Sequence, residues 1–276
     1  MIIDLHTHHQ RCGHARGELV DYVRPAIDRG VDTLGLSDHA PLLIGADEEP
    51  APGMHMPRSA FGGYLDEAAT LRARMRDRIE ILVGVEADYL PGTEEAYRAL
   101  LADPRIDFVL GSVHYFDGFH VYDRRRWNGV TDVDAVHVRY HQLVRAAART
   151  GLFDVMAHID AVKGRGQRAS RAIVGEWDET VRVLADTGVA VEINASGYRK
   201  CGEAFPSWEA VERLHAAGVP LTYGSDAHDP SEVLHAWADV HAGLLARGVT
   251  ELAVVRGRRR EMVAIDAARA ERVEGG

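Results

Sequence analysis

Ile2-Ile3-Asp4-Leu5-His6-Thr7-His8 is a short apolar run that ends in two imidazoles two residues apart. Side chains alternate along an extended segment, so His6 and His8 project to the same side. Two imidazoles on one side suit a divalent cation, so the stretch reads as a strand delivering metal ligands at its C-terminal end. Outward from it, the pattern repeats. Runs rich in Val, Ile and Leu near 2–5, 33–36, 79–85, 108–112, 154–157, 190–193 and 221–223 alternate with longer amphipathic segments. Those segments fall at roughly 17–29, 60–76, 93–102, 132–149, 170–187, 207–217 and 230–247. Such alternation marks repeated βα units around a parallel sheet. A last strand at 252–255 and a helix at about 258–271 close the chain. Seven or eight units favour a barrel over an open sheet. The expectation is an α/β barrel in one domain over residues 1–276, with a C-terminal helix and tail from about 257.

The strand ends share a chemistry. His39 follows the second strand, Glu86 the third, His114 the fourth, His158 the fifth, and Asp226 with His228 the seventh. His14, a few residues past the first strand, can fold back to the same place. In α/β barrels the C-terminal strand ends converge on one face and carry the chemistry. Seven histidines plus Glu86 and Asp226 exceed the roughly four ligands of one tetrahedral ion, so two or three divalent ions are expected. Imidazole and carboxylate suit Zn, Fe and Mn alike. The remaining histidines, His9, His55, His120, His137, His141, His215, His235 and His241, read as hydrogen-bonded core or surface residues. Of these, His55 and His120 are minor candidates for touching substrate. Cys12, between His8 and His14, is a minor candidate for a soft metal, and Cys201 reads as structural.

Composition narrows the class. The chain has 276 residues, 46% hydrophobic and 27% charged, enough for one sizeable core. A net charge of −10 argues against broad nucleic-acid or anionic-membrane binding, which needs clustered Lys and Arg. Arg258, Arg259 and Arg260 read as a solvated helix face. Two cysteines indicate no disulfide framework. No signal-peptide pattern and no apolar run of about 18 residues is visible, so a soluble cytoplasmic protein is expected. Gly30, Gly151, Gly188, Gly218 and Gly248 fall where helices should stop. The segment 41–57, rich in Pro, Gly and acid, is a candidate lid.

Taken in order, Asp4-Leu5-His6-Thr7-His8, Ser37-Asp38-His39, Gly84-Val85-Glu86, Gly111-Ser112-Val113-His114, Ala157-His158-Ile159-Asp160 and Ser225-Asp226-Ala227-His228 resemble the motifs of the polymerase and histidinol phosphatase (PHP) superfamily. Asn194-Ala195-Ser196-Gly197-Tyr198-Arg199-Lys200 with Phe205-Pro206-Ser207, and the stretch His8 to Ala15, are similar to its histidinol-phosphate phosphatase branch. The resemblance implies a distorted (β/α)7 TIM-like barrel with a trinuclear site. It implies one metal on His6, His8, Glu86 and Asp226, a second on Glu86, His114 and His158, and a third on His14, His39 and His228. The branch tends to place a phosphate-gripping base after the His-x-Asp motif; here Lys163, Arg165 and Arg168 compete for that role.

The expected reaction is hydrolysis of a small phosphate ester, L-histidinol phosphate leading, as in histidine biosynthesis. A hydroxide bridging two metals would attack phosphorus in line. Arg199 is the expected phosphate clamp, because a guanidinium fork matches phosphate bidentately. Asp160 would protonate the leaving alkoxide or orient His158. The rivals are a related phosphoesterase acting on a nucleotide or sugar phosphate, a barrel amidohydrolase, and a non-catalytic domain held together by metals. No strand-end lysine suits the carbamate bridge an amidohydrolase needs. Oligomeric state is not legible.

Overall fold

The computed structural model describes residues 1–165 and 167–265. Chain order runs β1 (Ile3–Asp4), α1 (Leu19–Asp28), β2 (Thr33–Leu36), α2 (Phe61–Met75), β3 (Glu80–Asp88), α3 (Glu94–Leu100) and β4 (Phe108–Ser112). A small hairpin of β5 (Tyr115–Phe116) and β6 (Phe119–His120) precedes α4 (Val133–Arg149), β7 (Val155–Met156), α5 (Val174–Thr187) and β8 (Ala190–Asn194). Then come α6 (Ser196–Cys201), α7 (Trp208–Ala216), β9 (Leu221–Gly224), α8 (Trp237–Leu245), β10 (Glu251–Arg256) and β11 (Arg259–Ala264).

Seven strands pair in parallel in the order β1-β2-β3-β4-β7-β8-β9. The two edges then find each other: Leu5 N donates to Tyr223 O at 3.1 Å and His8 N to Ala227 O at 2.8 Å. The sheet therefore curls into a nearly closed barrel. Every residue of β2, β4, β8 and β9 is buried, as a parallel sheet with filled interior and helical jacket requires. Glycine makes room where the filling is tightest. A Cβ on Gly84 would lie 2.2 Å from the Phe108 ring, so the missing side chain admits that aromatic plug. The five helix-ending glycines all adopt positive φ, between 66° and 74°.

Three expectations are corrected. The helix expected at about 258–271 is absent at 259–264, which forms β11 and pairs antiparallel with β10; residues 266–276 lie outside the described residues. Gly257 and Arg258 both have positive φ (53° and 62°), the signature of a two-residue hairpin turn. The arginine run is accordingly no helix face. Arg258 Nε reaches Asp154 Oδ2 at 2.7 Å and its fork donates to Leu152 O at 2.8 Å. The helix expected over 230–247 begins only at Trp237, because side chains capture the backbone before it. Asp4 Oδ2 accepts from Leu234 N at 2.8 Å, and Tyr223 Oη donates to His235 O at 2.6 Å. Asp4 also accepts from Ser225 N at 2.9 Å, locking the last strand loop to the first strand.

Candidate metal centre

All nine ligand-type residues meet at the C-terminal mouth of the barrel. Thr7 pins the first segment there: its Oγ1 donates to Gly35 O at 2.8 Å, and its N–H to Ser37 Oγ at 3.0 Å. That leaves His6 and His8 turned together toward Glu86, which β3 carries up through the barrel. Glu86 Oε2 lies 3.4 Å from His6 Nε2, 3.5 Å from His8 Nε2 and 2.9 Å from His39 Nδ1. Its other oxygen lies 2.9 Å from His158 Nε2 and 3.7 Å from His114 Nε2. Asp226 Oδ1 is 3.1 Å from His8 Nε2 and 3.9 Å from His6 Nε2. On the outer side, His228 Nε2 and His14 Nε2 are 3.1 Å apart, and the His8 ring stacks on both His39 and His228 at 4.2 Å.

Buried polar atoms ordinarily find partners. Here His6 Nε2, His8 Nε2, His39 Nδ1 and Glu86 Oε2 are buried without a hydrogen-bond partner among the described residues, and they face one another. Such a knot of lone pairs suits cations at its centre. His8, His39 and His228, and separately His6, His8 and Glu86, and His39, Glu86 and His114, each bring ligand atoms within 4.8 Å of one another. Burial penalises the charge of Glu86, but His39, His6 and His114 hold its carboxyl well below the ordinary range. Asp226 is likewise held low against burial, by Lys200 and His6. Two of the nine, His158 (φ 29°) and Asp226 (φ 54°), sit in left-handed backbone that is costly outside glycine, as functional sites often tolerate.

A ring of carboxylates aims the imidazoles, and sequence reading did not find it. Glu192 on β8 takes His6 Nδ1 at 2.6 Å, His158 N at 3.1 Å and Asn194 Nδ2 at 2.9 Å. Asp38 faces His8 Nδ1 at 3.4 Å and pairs with His9 Nδ1. Asp88 lies 3.2 Å from His114 Nδ1 and 3.4 Å from His55 Nε2. Such partners fix the tautomer and orientation of ligating imidazoles. The available signal for Glu192 was a single charge inside the apolar run Val189-Ala190-Val191-Glu192-Ile193.

A PHP domain matches residues 4–196. The chain belongs to the PHP domain family. A probable histidinol-phosphatase from Deinococcus radiodurans is 33% identical, the match covering 86% of this chain and 90% of that protein. Histidinol-phosphatase from Bacillus subtilis is 25% identical, over 85% of this chain and 96% of that one. The fold matches that of a histidinol phosphate phosphatase from Lactococcus lactis, solved with zinc, L-histidinol and phosphate: TM-score 0.81, 20% identity, 94% of this chain and 98% of that chain.

Within this PHP domain the expected substrate residues separate. Arg199 on α6 is at the site: its guanidinium lies 3.3 Å from Asp226 O and 3.4 Å from Glu232 Oε2. The neighbouring Lys200 reaches further in, 3.2 Å from Asp226 Oδ2 and 2.8 Å from Ser196 Oγ, over the Tyr122 ring at 4.6 Å. Asp160 and Lys163 instead face each other at 2.7 Å, with Glu203 Oε1 2.9 Å from Lys163 Nζ and Ser207 N donating to Asp160. Among the described residues, neither side chain hydrogen-bonds or ion-pairs with any of the nine. Both line a separate cavity of about 740 Å³ between α5 and α7, walled by Trp177 and Trp208. Arg165 donates to Tyr122 O at 2.8 Å, and Arg168 pairs with Glu203. Cys12 is buried and donates to His9 O at 3.1 Å, away from the soft-metal role. His55 is buried with Nδ1 3.2 Å from Ala40 O, seating the 41–57 segment beside Asp88. No helix among the described residues is long and apolar enough to cross a membrane.

Proposed function

We propose that the chain is a metal-dependent phosphomonoesterase that hydrolyses L-histidinol phosphate to L-histidinol and phosphate. The observation that carries this reading is the knot of unpartnered imidazole and carboxylate atoms around Glu86, in a PHP domain whose relatives bear the histidinol-phosphatase name. His6, His8, Glu86 and Asp226 would hold one divalent ion, Glu86, His114 and His158 a second, and His14, His39 and His228 a third. Zinc fits this imidazole-rich set, as in the Lactococcus protein. Bound ions would offset phosphoryl charge and bring coordinated water toward a neutral pKa.

The chain's own residues divide the remaining work. Glu192, Asp38 and Asp88 hold the imidazoles in register. Arg199 and Lys200 offer the phosphate a guanidinium fork and an ammonium beside Asp226. The low-lying Glu86 and Asp226 stay ionised at neutral pH and keep their oxygens available. Two unbridged cysteines agree with a cytoplasmic site of action.

The test is phosphate release from L-histidinol phosphate beside nucleotide, sugar and other small phosphate esters, on protein of measured metal content. A strong preference for L-histidinol phosphate with two or three ions per chain is expected. Preference for another ester would discard the substrate and keep the chemistry. Absence of bound metal, with no activity restored by Zn, Mn or Fe, would overturn the reading.

A further inference from the structure

The hairpin of β5 and β6 rises directly from the ligand His114, and its cross-strand pair Tyr115 and His120 sits beside the metal centre. His120 stacks on His114 with ring centroids 5.3 Å apart and planes 13° from parallel. Tyr115 meets His120 edge to face at 5.0 Å, and His55 lies 5.7 Å beyond Tyr115. Three aromatic rings thus form a wall at the His114 side of the mouth, and the Tyr122 ring stands between that wall and Lys200, 5.7 Å from the His120 ring and 4.6 Å from Lys200 Nζ.

His120 has one determined nitrogen and one idle one. Tyr122 N donates to His120 Nδ1 at 3.2 Å, which makes Nδ1 the acceptor and leaves the proton of the neutral ring on Nε2. Nε2 has no partner among the described residues, and His120 is only partly buried. A donor of fixed tautomer, backed by a stacked ring and standing free beside the centre, is built to read an acceptor on a ligand.

Building on the phosphatase reading above, we infer that His120 selects the leaving group, its Nε2–H donating to a lone-pair nitrogen of a heteroaromatic ring held against the Tyr115–His120 wall. The phosphate then sits on the Arg199–Lys200 side, and the ring on the hairpin side. An ester lacking such a ring gains nothing from this wall.

The test compares kcat/KM for L-histidinol phosphate with that for ethanolamine phosphate, which keeps the aminoalkyl phosphate and lacks the ring. His120→Phe keeps a stacking ring without the donor, and His120→Gln restores an N–H. The ratio should fall about tenfold in His120→Phe, the cost of one neutral hydrogen bond with its partner stranded, and recover in part in His120→Gln. Metal per chain, read by elemental analysis, should match wild type. A ratio retained in His120→Phe would overturn the inference alone. Loss of metal would also overturn it, making His120 a support of the centre. A wild-type enzyme with no preference between the two esters would overturn the substrate reading and this inference with it.

Discussion

Glu192 shows how one residue off the ligand set can govern it. Its carboxylate bonds His6 Nδ1 and so presents Nε2 to the centre, and it also holds the strained His158 by the backbone. Gly224 opposite permits this, since a Cβ there would lie 2.1 Å from Glu192 Oε1. Glu192→Gln should weaken metal binding about 10–100-fold, the usual cost of losing such a partner, as read by competition with a chelator. Retained affinity would reduce Glu192 to packing. Lys200 makes the second case. On the proposed reading, Arg199→Ala and Lys200→Ala should each lower kcat/KM about tenfold or more with metal content intact, since each would remove a charge-assisted contact to phosphate. Unchanged kinetics in either variant would remove that residue from the site. The cluster of candidate ligands was legible because His, Glu and Asp recur at the strand ends, which the barrel brings together. Glu192 and Lys200 were not, because one hides within a strand and the other depends on α6 turning it inward.

At the scale of elements, alternating apolar runs and terminal glycines were enough to place the seven barrel strands and most helices. The misses have local causes. Arg259-Arg260-Glu261-Met262-Val263-Ala264 carries charges and apolar residues that pass for an amphipathic helix. What makes it a strand is the turn before it and its ladder with β10, a tertiary term that periodicity does not contain. This hairpin caps the barrel floor, where Arg258 ties to Asp154 and to Leu152 O, and Arg256 to Glu80 at 2.7 Å. A β-branched residue at the positive φ of Gly257 is strained by roughly 1–2 kcal/mol. Gly257→Val should therefore lower Tm by about 2–8 °C in a thermal melt, while kcat, set at the opposite mouth, stays as in wild type. A fall in kcat at temperatures well below Tm would show that floor and mouth are coupled.

Across the whole molecule, the barrel gathers charges that only a cation or a proton can reconcile, so metal and pH must compete. Burial alone would lower the His114 pKa, but Asp88 and Glu86 raise it to about 9. Burial is likewise outweighed at His6 by Glu192, Glu86 and Asp226, and at His8 by Asp226 and Asp38, so both lie above their ordinary value. Metal-free protein should therefore carry a proton on His114 at neutral pH and hold protons on His6 and His8 more tightly than free imidazoles do, and each entering ion must displace what is bound. Metal affinity should climb with pH until about 9. Stability follows with a definite sign. A raised imidazole stabilises the metal-free fold fully below 6.5, and that contribution disappears as pH rises through about 9. In the loaded protein the metal stands in the proton's place, so nothing comparable is lost. Melting with and without chelator from about pH 6.5 to above 9 should show a Tm gap that widens as pH rises. Calorimetric titration in two buffers of different ionisation enthalpy should detect proton release below pH 9. A gap that narrowed with pH, or metal uptake without proton release, would mean that His6, His8 and His114 are not ligands.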